Sequence, residues 1–204
     1  TIDVALHALE HGIGFNVAGG THHAFAGHGE GFCLLNDFAV AANYLLHHKR
    51  VRQALVIDLD VHQGNGTAAL FADNAHVYTF SMHGAHNYPF HKETSDWDIA
   101  LRDGTDTATY LQLLEAALPQ LIERVKPDMV FYLSGVDILA TDKFGKLKVT
   151  PEGCRQRDEM VFHLLKKHDI PCAVAMGGGY STHIRDIVNA HCNTFKAGAD
   201  IYGI

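Results

Sequence analysis

Apolar residues along this chain fall into short dense runs, separated by longer stretches in which they recur with helical spacing. Residues 13–18, 54–59, 76–82, 129–134 and 172–176 read as strands. The second is the densest: Ala54, Leu55, Val56, Ile57 and Leu59 form a near-continuous apolar run, the mark of a parallel strand buried on both faces. Between the first two runs, Phe38, Ala41, Ala42, Leu45 and Leu46 recur at helical period behind Asn36, a good N-cap residue. Leu111, Leu114, Ala117, Leu118 and Leu121 share one face of a helix expected over 107–125, with Pro119 inside it as a possible kink or break. Thr150, Pro151 and Glu152 are a cap, a first-turn proline and a first-turn acid for a helix reaching about residue 167. A last helix is expected over about 184–196, and the polar segment 90–106, with Trp97, reads as a long loop. Strands alternating with helices predict an α/β fold, a mainly parallel sheet with helices on both faces.

Composition narrows the class. At 204 residues one sizeable core and a single domain spanning 1–204 are expected. With 47% hydrophobic and 19% charged residues, the chain is globular and not disordered. Cys33, Cys154, Cys172 and Cys192 are scattered and form no CxxC pair, so reduced thiols and a cytoplasmic location are the default expectation. No apolar run approaches a membrane span. The formal charge of -7 argues against direct nucleic-acid binding and is compatible with a cationic ligand.

The chemistry concentrates where the strands end. The run Val56-Ile57-Asp58-Leu59-Asp60-Val61-His62 places Asp58, Asp60 and His62 at alternate positions, so in an extended segment they lean to one side. Carboxylate oxygen and imidazole nitrogen one pleat apart suit zinc or another divalent first-row metal, although a strand ending in a salt-bridged polar loop explains the same run. Gly19-Gly20-Thr21-His22-His23 follows the first strand; two adjacent imidazoles with different partners can divide base and acid work, or can be a surface pair like His47 and His48. Asp137 follows the fourth strand, and Gly177-Gly178-Gly179-Tyr180 follows the fifth, where a phenol could donate to a developing oxyanion. Gly29-Glu30-Gly31-Phe32-Cys33 could line a pocket or make a plain turn. Each motif alone is weak. Together they gather His, Asp and Tyr at the C-terminal ends of successive strands, where open α/β sheets bind ligands.

In order, the blocks GGTHHA, GEGFCLLND, VIDLDVHQGNG, YTFSMH, SGVDIL and GGGYS resemble the histone deacetylase family of zinc amidohydrolases, on the arginase/deacetylase fold. The wording of DLDVHQGNG and GVDIL is most similar to the class IV, eleven-type subgroup and its bacterial relatives. The resemblance covers nearly the whole chain and implies zinc, one per chain, held by Asp60, His62 and Asp137. It implies a catalytic pair His22 and His23, with Asp58 and Asn65 as their respective partners, and Tyr180 as the transition-state donor. It further implies a narrow acyl-lysine tunnel walled by Gly31, Phe32, Tyr88, Gly178 and Gly179, and a structural K+ near Asp58, Ser81 and the Met82 carbonyl. The implied substrate is an acylated lysine peptide or an acetylated polyamine.

Two departures qualify the resemblance. Many members place a carboxylate at the position of Asn65; a neutral amide orients His23 without stabilising its charged form, so His23 is expected to be less basic than in those relatives. On that basis His22, with its anionic partner Asp58, is the first candidate for the base and His23 the second. Residues 1–6 resemble the middle of the family's domain, so the N-terminal strand-helix region is expected to be missing and self-association to follow from uncovered apolar surface. Two rival functions are an arginase-like two-metal amidinohydrolase and a non-catalytic acyl-lysine or metal-binding module.

Overall fold

Six strands and six helices make up the computed structural model, which describes residues 1–204. In chain order they are α1 (Ile2–His11), β1 (Ile13–Asn16), α2 (Asp37–His47), β2 (Ala54–Asp58), α3 (Asn65–Phe71), β3 (Val77–Gly84), β4 (Trp97–Leu101), α4 (Thr107–Val125), β5 (Met129–Leu133), α5 (Pro151–Lys167), β6 (Cys172–Ala175) and α6 (Ile184–Tyr202). The sheet runs β1-β6-β5-β2-β3-β4, and every pairing is parallel. All strand C-termini therefore point to one edge.

Side-chain alternation across the central strands divides the core in two. Leu55 and Ile57 of β2, Val130 and Tyr132 of β5 and Val174 of β6 join the buried faces of α4, α5 and α6. Ala54 and Val56, Met129, Phe131 and Leu133, and Ala173 and Ala175 join α1, α2 and α3 on the opposite face. Burial on both faces explains why β2, β5 and β6 read as unbroken apolar runs.

The helix starts follow their caps. Asn36, Asp106 and Thr150 each accept a backbone N–H from three residues on, at Ala39, Thr109 and Gly153. Pro119 is exposed and α4 runs through it without a break. Four elements differ from the sequence reading. Trp97–Leu101, inside the expected loop, is an edge strand parallel to β3. Helices α1 and α3 were not anticipated, and α6 continues to Tyr202. The four cysteines are unpaired. No helix is long and apolar enough to cross a membrane.

Candidate active site

Strands β2 and β5 are nearest neighbours, with Asp58 in register with Leu133. The segments that leave them therefore run side by side, and they bring Asp60, His62 and Asp137 together. Ligand atoms of these three residues all lie within 4.8 Å of one another. His62 Nδ1 is 3.0 Å from Asp60 Oδ1 and 3.1 Å from Asp137 Oδ2. Asp60 and Asp137 are at most 1% exposed, so two carboxylates are packed together out of water. Burial and the charge of Asp60 push Asp137 up to about 7. Burial opposes charge on His62, but its hydrogen bonds to Asp137 and Asp60 outweigh that and hold the ring protonated. A cation entering the cluster would displace that proton.

The donor set fits a divalent metal. Backbone N–H groups orient both carboxylates: Asp60 Oδ2 accepts from Gly178 N at 2.7 Å, Asp60 Oδ1 from His62 N at 2.9 Å and Asp137 Oδ1 from Val61 N at 2.9 Å. Asp60 Oδ1 and Asp137 Oδ2 turn toward His62 Nδ1. Two oxygens and one nitrogen leave room for further ligands, as catalytic zinc requires. Gly178 packs against both carboxylates so closely that no Cβ could be accommodated.

Above the triad sit the two histidines. His22 Nδ1 lies 2.7 Å from Asp58 Oδ2, and His22 Nε2 is 3.9 Å from Asp60 Oδ1. His23 Nδ1 lies 2.7 Å from Asn65 Oδ1, and the two rings are 4.1 Å apart. Their surroundings drive them in opposite directions. Burial alone would depress His22, but Asp58 and Asp60 outweigh it and raise the ring to about 9. Burial and then the neighbouring His22 charge push His23 down to about 3, because Asn65 offers a dipole and not a charge.

Tyr180 is half-buried beside His62, with ring centroids 6.4 Å apart. Burial, reinforced by Asp60 and Asp137, pushes its phenol up to about 12, so it remains a donor at neutral pH. A cavity of about 590 Å³ opens over this group, lined among others by His23, Phe32, Tyr88, Phe144 and Tyr180. A smaller space of about 130 Å³ beneath it is bordered by Gly20, Cys33, Gly177 and Gly178. Gly31 and Phe32 both have positive φ, 50° and 66°, and form a tight turn closed by the paired backbones of Glu30 and Cys33. That turn holds Phe32, 90% exposed, at the cavity mouth. Asp58 is also the register partner of Ser81, whose hydroxyl lies 2.9 Å from His83 Nδ1; Met82 is buried.

Sequence reasoning missed three contributors. Asp142 caps the loop at the mouth, accepting from Phe144 N and Gly145 N through Oδ1 and from Tyr180 N through Oδ2. Glu30 stands behind Asn65 and Tyr88. Arg157 of α5, fully buried, donates to the carbonyls of Gly135 and Ser134 and is paired with Asp158, beneath the loop that delivers Asp137. Only Glu30 had a signal, as the acid within the GEGF block.

A family model described as the histone deacetylase domain matches residues 1–195. The chain belongs to the histone deacetylase family. Among its relatives, an uncharacterized Picosynechococcus sp. protein is 46% identical over 99% of the chain and 67% of its own length. Histone deacetylase 2 of Arabidopsis thaliana is 36% identical over 88% of the chain and 47% of its own length. Histone deacetylase RPD3 of Saccharomyces cerevisiae is 33% identical over 91% of the chain. The chain thus spans 47% and 43% of these two eukaryotic family members. The HD domain of HDA15 superposes with a TM-score of 0.80 at 25% identity, covering 98% of the chain and 64% of that domain. Acetylpolyamine aminohydrolase from Burkholderia pseudomallei shares the fold, with a TM-score of 0.79 over 97% of the chain and 60% of its own. The arginase/deacetylase architecture expected from the motifs is the one this family uses.

Proposed function

We propose that the protein hydrolyses the amide of an acylated amine, an N-acyl-lysine or an acetylated polyamine, with one zinc ion held by Asp60, His62 and Asp137. One observation carries this reading: a single buried metal-ligand triad lies under two histidines of opposite basicity and a protonated tyrosine. The cation, when bound, supplies Lewis acidity toward the amide carbonyl and acidifies water.

The chain's own groups do the rest. His23 is neutral and takes the proton of the attacking water; this reverses the order of preference drawn from partner charge alone. The reason is physical: two carboxylates beside His22 keep it protonated, so it has no lone pair to offer, while His23 has only the Asn65 amide. His22 supplies fixed positive charge to the developing oxyanion, and Tyr180 donates a hydrogen bond to it. His23 then returns its proton to the leaving amine. Phe32 and Tyr88 wall the acyl chain and exclude water, with Gly31, Gly178 and Gly179 giving the backbone close approach. A structural K+ near Asp58, Ser81 and Met82 and a single domain over 1–204 belong to the same proposal, as does self-association through the exposed Leu34, Leu35 and Val40.

An amidinohydrolase with two bridged metals needs further free carboxylates. Asp58 is instead engaged by His22 and by Asp60 N. The test is mass spectrometry of a panel of acyl-lysine peptides and acetylpolyamines incubated with zinc-loaded protein. Release of free amine at one metal per chain is expected. Tight peptide binding without turnover at full occupancy would overturn the hydrolase in favour of a binding module.

A further inference from the structure

We infer that Glu30 is a positioning residue that fixes the tautomer of His23 through the side-chain amide of Asn65. The inference rests on the proposed hydrolysis only for its catalytic consequence. Glu30 Oε1 accepts from Asn65 Nδ2 at 2.9 Å and also from the Tyr88 hydroxyl. An ionised carboxylate only accepts hydrogen bonds. The Asn65 atom facing it must therefore be the NH2 group, because the flipped amide would set oxygen against oxygen.

The consequence passes across the amide. If the NH2 faces Glu30, the oxygen faces His23, and Asn65 Oδ1 lies 2.7 Å from His23 Nδ1. An amide oxygen has no proton to give, so Nδ1 must carry one. In a neutral imidazole that is the single N–H. Nε2 is then left with its lone pair free to accept a proton. A carboxylate two hydrogen bonds away thus decides which nitrogen can act as a base, without placing charge on the histidine.

Glu30 is suited to this work. The hydrogen bond from Tyr88 holds its carboxyl below the usual range, so it stays an acceptor. Its backbone N–H and C=O both pair with Cys33, closing the turn that carries Gly31 and Phe32. The other titratable group facing it is His28, whose Nε2 is 3.6 Å from Glu30 Oε2. One side chain thereby links the turn bearing Phe32, the opposite wall at Tyr88 and the proposed base.

The experiment is long-range proton–nitrogen NMR of the imidazoles in the zinc-loaded 204-residue chain, with His23 assigned from a His23→Gln spectrum. His23 is expected in the Nδ1–H form alone. In Glu30→Ala it should become a mixture or shift to Nε2–H, with zinc affinity unchanged and kcat lowered roughly 10- to 100-fold, as when an orienting partner is lost. Glu30→Gln, which keeps an acceptor oxygen, should restore both. Tyr88→Phe should alter KM and leave the tautomer fixed. An Nε2–H tautomer in the wild type, or an unchanged Nδ1–H tautomer in Glu30→Ala, would overturn the inference. Should Glu30→Ala fail to fold, the wild-type tautomer and the Glu30→Gln spectrum still decide it. A tautomer as expected in a protein that cleaves no acylated amine would uphold the relay and count against the hydrolase.

Discussion

Gly178 and Asp137 are packed so closely that the glycine's missing side chain is part of the ligand geometry. Its N–H also fixes Asp60 at 2.7 Å, so one residue bears on two of the three metal donors. Gly178→Ala should therefore lower zinc affinity by at least about tenfold, comparable to loss of an orienting partner. Asp137→Ala, which removes a donor outright, should reduce it further and abolish stoichiometric binding. Competition with a chromophoric chelator measures both; full affinity and stoichiometry in Asp137→Ala would show that the triad is not the metal site.

Tyr180→Phe removes a hydroxyl and leaves its ring to pack against Phe144 and Phe32. Turnover should fall by about two to three orders of magnitude, or about 2.7–4 kcal/mol, the range for loss of an oxyanion donor. Zinc content and thermal stability should be retained. Near-native turnover would remove the tyrosine from the mechanism.

The two histidines make opposite predictions for the pH dependence of folding in metal-stripped protein. His22 is raised from 6.5 to about 9, so its stabilisation is fully present below pH 6.5 and is lost as pH rises through 9. His23 is lowered from 6.5 to about 3, so the unfolded chain gains a proton that the folded one refuses, and stability is lost as pH falls from 6.5 toward 3. His22's share is at most about 3 kcal/mol at 1.36 kcal/mol per unit. It is smaller in practice, because burial also pushes Asp58 up despite its pairing with His22. Urea denaturation across this range should show the alkaline decline shrink in His22→Asn and the acid decline shrink in His23→Asn. Equal profiles in both variants would show that neither ring is perturbed as described.

Arg157 and Asp158 are both 0% exposed, and Asp158 also accepts from Tyr132 and Thr194. Arg157→Leu strands a buried carboxylate and frees the carbonyls of Leu59, Ser134 and Gly135, so unfolding free energy should drop by about 3–5 kcal/mol. A loss under about 1 kcal/mol, read from the denaturant midpoint at unchanged slope, would mean that water or relaxation replaces the arginine.

Much of this was legible before the structure. β2 and β5 announce themselves because burial on both faces leaves no polar alternation to confuse, and α5 because Thr150 and Pro151 mark its start. β4 was hidden: Trp97–Leu101 lies at the sheet edge, has only Leu101 fully buried, and carries Asp98 as its second residue. α3 was hidden because seven residues of small and polar character give too little helical period to detect. The triad and the histidine pair were readable from residue type at strand ends. The lowered basicity of His23 was expected from Asn65, but the raised basicity of His22 was not, since it depends in part on Asp60 reaching back toward that ring. Glu30's contact with Asn65 joins positions 35 apart, a distance that no local pattern encodes.

The adjacency of β2 and β5 has a mechanical side. Asp60 and His62 leave one central strand and Asp137 leaves its neighbour, with 75 residues separating His62 from Asp137 along the chain. A cation gripped by all three would tie those strands together as a reversible cross-link at the middle of the sheet. The intervening stretch, containing α3, β3, β4, α4 and β5, would become a closed loop whose opening requires letting the ion go. Chelation would then loosen half the sheet along with the chemistry, making metal supply a determinant of how long the folded chain survives.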